Sequence, residues 1–91
     1  MGEVIRKRMV FYGDVQGVGF RYRAKYGAQE LGVTGWVKNE WDGTVVMEAQ
    51  GTEEQIGRLI TAVQQGTFVN IRDIRMKEIF PEEHEYSFHI R

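Results

Sequence analysis

Two hydrophobic periods alternate along this chain, and each switch between them marks the end of an element. Val4 to Tyr12 is dense in β-branched, aromatic and basic residues and predicts a strand. Gly13-Asp14-Val15-Gln16-Gly17-Val18-Gly19 follows, with three glycines in seven positions. That density marks a loop with unusual backbone angles or close backbone approach. Phe20, Ala24, Ala28 and Leu31 then recur at helical spacing before Gly32, a natural C-terminal stop, so Phe20 to Leu31 reads as a helix. Gly27 inside it costs up to about 1 kcal/mol relative to alanine.

Thr34 to Glu40 predicts a second strand, Asp42-Gly43 a hairpin turn, and Thr44 to Gln50 a third strand. In the third, Val45, Met47 and Ala49 alternate with Val46, Glu48 and Gln50, giving one buried and one wetter face. Gly51 breaks it. Thr52 with Gln55 has the form of a capping box, and Ile56, Leu59, Ile60 and Val63 form the apolar stripe of a second helix that ends at Gly66. Val69 to Phe80 is a fourth strand with an imperfect period: Val69 and Ile71 share one phase, and Ile74, Met76 and Phe80 the other. A bulge near Asp73 would reconcile them. Pro81 to His84 reads as a turn, and Tyr86, Phe88 and Ile90 alternate as a final strand. The order strand-helix-strand-strand-helix-strand, plus one strand, is the pattern of an α+β ferredoxin-like sandwich. An antiparallel sheet of four to five strands with two helices on one face is expected.

Length and composition narrow the function. A chain of 91 residues has room for one domain, residues 1–91. It is 42% hydrophobic and 27% charged, a globular balance. No apolar run approaches the roughly 20 residues of a membrane span. The absence of cysteine excludes disulfides, thiolate metal sites and a cysteine nucleophile. Met1 to Arg8 leads into no apolar stretch of the kind a secretory leader needs. Met1-Gly2 lacks a myristoylation context, because Arg6 stands where serine or threonine is expected. A cytoplasmic monomer without membrane partner is the expectation. The net charge of -1 hides an asymmetry: residues 1–38 carry 7 basic and 3 acidic groups, residues 39–91 carry 5 and 10. A basic first half on a near-neutral chain points to a local anion site more than to a nucleic-acid surface.

The glycine loop is the natural place for that anion. Its glycines let successive backbone N–H groups converge, and the helix start behind it adds unpaired donors and a partial positive charge. Arg21, Arg23 and Lys25 oppose the helix dipole there, at about 0.3–1 kcal/mol each, unless an anion compensates them. Arg23 and Lys25 read as solvated surface residues. Arg21, directly behind the loop, reads as an anion ligand, since its planar fork donates two parallel hydrogen bonds to a phosphate. A right-handed crossover makes the first two strands parallel, with one strand between them and their ends about 10 Å apart on one sheet edge. The second ends at Asn39. Its side chain could orient a water beside an anion in the loop, or it could simply start a turn.

The remaining candidates are weaker. His84 and His89 read as a turn residue and an outward strand residue, Glu40 and Asp42 as hairpin residues, Trp36 and Trp41 as packing, and Glu82, Glu83 and Glu85 as a solvated acidic turn. No metal-ligand spacing and no P-loop are present, so neither a metal nor a cofactor is expected.

Gly13-Asp14-Val15-Gln16-Gly17-Val18-Gly19-Phe20-Arg21 resembles the acylphosphatase signature, and Gly35-Trp36-Val37-Lys38-Asn39 with Asp42-Gly43-Thr44-Val45 and Gly51 resembles its second signature. The resemblance spans nearly the whole chain. It implies a five-stranded ferredoxin-like domain that hydrolyses the carboxyl-phosphate bond of a small-molecule acyl phosphate, without a metal. It further implies that Arg21 binds the phosphate, that Asn39 positions the attacking water, and that Val15, Gln16, Gly17, Val18, Gly19 and Phe20 form the backbone cradle, a site that inorganic phosphate or sulfate could also occupy. Arg23 departs from the family pattern where an aromatic is common, Gly27 where a better helix former is usual, and Gly66-Thr67 where Gly-Pro is frequent. An acyl phosphate suits a site without a histidine base, because its leaving carboxylate, with a conjugate-acid pKa of about 4, departs without general-acid help. Two rival readings fit the same residues. One is a non-catalytic module that binds phosphate or acyl phosphate. The other is an RNA-binding domain of the same fold, which the net charge disfavours.

Overall fold

The computed structural model describes residues 2–91. Met1, on which the leader and myristoylation readings begin, lies outside the described residues. The chain runs β1 (Ile5–Asp14), α1 (Phe20–Leu31), β2 (Thr34–Asn39), β3 (Val45–Gly51), α2 (Glu53–Gln64), β4 (Asn70–Ile79) and β5 (Phe88–Ile90). The strands form one sheet in the order β4-β1-β3-β2-β5. It is antiparallel from β4 to β2, while β5 joins β2 in parallel and makes the sheet mixed. The reason lies in the crossing. β4 finishes where Ile79 pairs with Arg6, at the start of β1. A strand that begins at that end and runs back up the far edge can only run with β2.

The core lies between the sheet and the two helices. Met9 and Phe11 of β1, Val37 of β2 and Val45, Met47 and Ala49 of β3 pack against Phe20, Ala24 and Ala28 of α1 and Ile56, Leu59 and Val63 of α2. Small residues on α1 let it approach closely. A Cβ on Gly27 would stand 3.1 Å from Leu59 Cδ1, so this poor helix former is matched to its contact with α2. The capping box of α2 is formed, with Gln55 N–H donating to Thr52 Oγ1 at 3.1 Å and Thr52 N–H to Gln55 Oε1 at 2.9 Å.

The bulge falls beside the expected position. Tyr12 pairs with Asp73 and Gly13 with Ile71, so Arg72 is the extra residue. It brings Ile71 and Ile74, which sequence parity sets on opposite faces, to the same side against the core. Other expectations need correction. Glu85 is not part of a solvated turn: its carboxylate accepts from the Arg6 guanidinium at 2.8 and 3.3 Å. β1 runs on to Asp14, because Gly13 and Asp14 find partners in Ile71 and Asn70. Tyr86 stays outside β5 and exposed, since the chain is still crossing beneath the sheet there. Trp41 does not pack: it is 99% exposed at the hairpin tip, beyond the last paired residue of β2. Trp36 does pack, held under the guanidinium groups of Arg8 and Arg91.

Candidate active site

β1 and β2 each pair antiparallel with β3, so they run parallel to each other and both deliver their C-terminal ends to one edge of the sheet. The loop from β1 to α1 begins there, and β2 stops there at Asn39. Gly17 (φ 71°) and Gly19 (φ 81°) are left-handed. A Cβ on either would meet nothing within 4 Å, so glycine is needed for the backbone angle and not for space. Gly19 is the N-cap of α1 and offers no side-chain cap, and the first helical turn holds no acidic residue. The amides of that turn are left to other acceptors.

Val15, Gly17, Gly19 and Phe20 line a concavity of about 240 Å³ together with Arg21, Tyr22 and Asn39. Arg21 is half-buried and takes part in no ion pair among the described residues. The side-chain oxygen of Asn39 is buried and has no hydrogen-bond partner among the described residues. An unpaired buried carbonyl oxygen costs about 1–3 kcal/mol. The hairpin turn does not use it. Glu40 N–H donates to the Thr44 carbonyl at 2.9 Å, and Asp42 Oδ1 accepts from Thr44 N–H and Oγ1–H at 3.0 and 2.7 Å. Those two bonds hold the Asp42 carboxyl below its ordinary range, the hydroxyl contributing most.

Two members of the expected cradle keep their side chains elsewhere. Gln16 Nε2 donates to the carbonyls of Glu40 and Thr44, and Val18 packs against the core. Arg23 and Lys25 lie outside the concavity, as their surface reading anticipated. The Arg23 side chain covers Gly66, where an added Cβ would be 2.9 Å from its Nε. His84 pairs with Tyr86 and His89 with Ser87, and neither lines the concavity. Tyr22 is the lining residue that sequence reasoning missed. Its adjacency to Arg21 was a usable signal, but helical periodicity assigns it to solvent. Among the described residues, no three His, Asp or Glu side chains converge and no helix is long and apolar enough to cross a membrane.

A family model described as acylphosphatase matches residues 7–90. A curated acylphosphatase of Oceanobacillus iheyensis is 37% identical over 81 residues, covering 87% of this chain and 89% of the relative. One from Clostridium acetobutylicum is 44% identical over 79 residues, covering 86% and 87%. The crystal structure of acylphosphatase from Bacillus subtilis superposes with a TM-score of 0.87 at 36% identity, over 96% of this chain and 98% of that one.

Proposed function

This chain belongs to the acylphosphatase family, and from that premise we propose how its concavity hydrolyses an acyl phosphate. The enzyme is a hydrolase whose substrate is a small-molecule acyl phosphate and whose products are a carboxylate and inorganic phosphate. The main-chain amides from Val15 to Phe20 and the Arg21 guanidinium bind the non-bridging phosphoryl oxygens. Asn39 Oδ1 accepts a hydrogen bond from a water and aims it at phosphorus, in line with the departing carboxylate. The proton of that water passes to an oxygen of the substrate. Negative charge on the phosphoryl group is met by donors that need no rearrangement during reaction.

The observation that carries this reading is that Asn39, whose buried Oδ1 has no hydrogen-bond partner among the described residues, lines the same concavity as Arg21, which takes part in no ion pair among them. A buried acceptor beside a cation suits a neutral hydrogen-bond donor such as water. Residues 1–91 are read as one domain, a cytoplasmic monomer, with inorganic phosphate or sulfate competing for the cradle.

The test is hydrolysis of an aromatic acyl phosphate by wild type and three variants. Arg21→Ala loses phosphate inhibition together with turnover, and Arg21→Lys recovers little, because an ammonium cannot reproduce the fork. Asn39→Ala lowers kcat by about 10²-fold and leaves the inhibition constant of inorganic phosphate nearly unchanged. EDTA leaves all rates unaltered. Wild-type kcat in Asn39→Ala would overturn the water-positioning role.

A further inference from the structure

We propose that the groove between α1 and α2, beside the catalytic concavity, seats the acyl group of the substrate. Tyr22 and Tyr26 are its specificity-determining residues, and they select acyl phosphates whose acyl group is flat, apolar and longer than one ring. The inference rests on the phosphoryl group occupying the concavity described above.

Continuity is the first argument. Gly19 and Tyr22 line both the concavity and the groove, so the two hollows meet across one glycine and one aromatic edge. Beyond them the groove continues past Tyr26, over the small residues Gly27 and Ala62. In-line displacement places the leaving group opposite the attacking water. With water at Asn39, the acyl group departs to the side of the concavity away from that residue, and the groove shares Gly19 and Tyr22 with the concavity but not Asn39.

The tyrosines themselves are the second argument. They are 59% and 58% exposed, and the buried face of α1 is made by Phe20, Ala24 and Ala28 instead. Neither phenol is needed by the core. Their rings are stacked, with centroids 6.5 Å apart and planes within 19° of parallel. Such a pair offers a flat apolar ligand a ready surface without first ordering two side chains. A single ring next to the carboxyl-phosphate bond reaches Tyr22 only. A group extended by a further conjugated unit reaches Tyr26, one helical turn and about 6 Å on. Charge gives the third argument: Arg23 and Glu30 both border the groove and offset one another, so it favours a neutral acyl group over a second anion.

The test compares acetyl, benzoyl and cinnamoyl phosphate as substrates of wild type, Tyr22→Ala, Tyr26→Ala and Tyr26→Phe, with the inhibition constant of inorganic phosphate measured for each. Wild type is expected to rank cinnamoyl above benzoyl above acetyl in kcat/KM. Tyr26→Ala lowers the cinnamoyl-to-acetyl ratio by about three- to tenfold, the scale of one stacked pair, mainly through KM. Tyr22→Ala lowers both the benzoyl and the cinnamoyl ratio, and Tyr26→Phe keeps the wild-type ranking. Ratios that do not move in either alanine variant, while all three substrates are hydrolysed, overturn the groove and leave the phosphoryl site standing. A wild type that hydrolyses none of the three overturns the phosphoryl site and the groove with it.

Discussion

Gln16 donates from one nitrogen to the main-chain carbonyl of Glu40 at 2.5 Å and to that of Thr44 at 2.8 Å. A single side chain thereby fastens the glycine loop to the hairpin that follows Asn39. If the amides of the loop hold the phosphoryl group and Asn39 holds the water, this tie sets the distance between them. Gln16→Ala is expected to lower kcat/KM by about 10- to 100-fold, the scale of an ångström of misplacement. Gln16→Glu is expected to lose more, because its carboxylate would face two carbonyl oxygens and donate to neither. Melting temperature is recorded alongside the rates. A folded Gln16→Glu enzyme with wild-type kcat/KM would break the proposed link.

Gly19 separates backbone need from steric need. Its φ of 81° is left-handed, yet a Cβ there meets nothing within 4 Å. Substitutions should rank by tolerance of that angle and not by size. Asparagine visits the left-handed region readily, alanine pays about 1–2 kcal/mol, and β-branched valine more. The inhibition constant of inorganic phosphate should rise in the order Gly19, Gly19→Asn, Gly19→Ala, Gly19→Val. An alanine variant that binds phosphate as tightly as wild type would mean that the loop amides do not need this conformation.

Most of the fold is legible in the chain because its elements are locally self-consistent. Each helix carries one apolar stripe, α2 begins in a capping box, and Gly32 closes α1 with its N–H on the Ala28 carbonyl. Even the bulge leaves a trace, since Ile71 and Ile74 break parity within one apolar run. The direction of β5 leaves none, because it depends on where residues 80–87 cross the sheet. The site divides in the same way. Arg21 and Asn39 are visible through their neighbours, a glycine loop and a strand end. The Gln16 tie is invisible because its acceptors are main-chain carbonyls, which every residue carries. Tyr22 is hidden for the opposite reason: it sits on a helix face that periodicity labels as solvent, and only the nearby loop turns that face into a wall.

The segment that delivers β5 is fastened by a buried charge cluster, and its response to acid can be worked out. Arg6 is 1% exposed, on the sheet face away from the helices. It donates to Glu48 at 2.9 Å, to Gln50 at 3.2 Å and to Glu85 at 2.8 Å, while Arg8 reaches the second oxygen of Glu48 at 2.7 Å. Burial pushes the Glu48 carboxyl up, but hydrogen bonds from Arg6 and Arg8 outweigh it and hold the group below its ordinary value of 4.5. Burial likewise opposes the charge on Arg6, and the bonds to Glu85 and Glu48 raise it nonetheless. A carboxylate with a depressed folded-state pKa adds stability that is complete above its unfolded value and is lost as pH falls through the folded one. Melting temperature should therefore hold steady down to about pH 5 and fall below it, and Glu48→Gln should flatten that fall. Arg6→Met leaves the half-buried Glu48 with Arg8 alone and the half-buried Glu85 without its cation, a change worth at most about 3 kcal/mol at neutral pH. Removing Arg6 takes away one of the hydrogen bonds that hold the Glu48 carboxyl down, so the variant should lose less stability than wild type as pH falls below about 5. An Arg6→Met melting profile parallel to that of wild type across this range would show that the cluster does not govern acid stability.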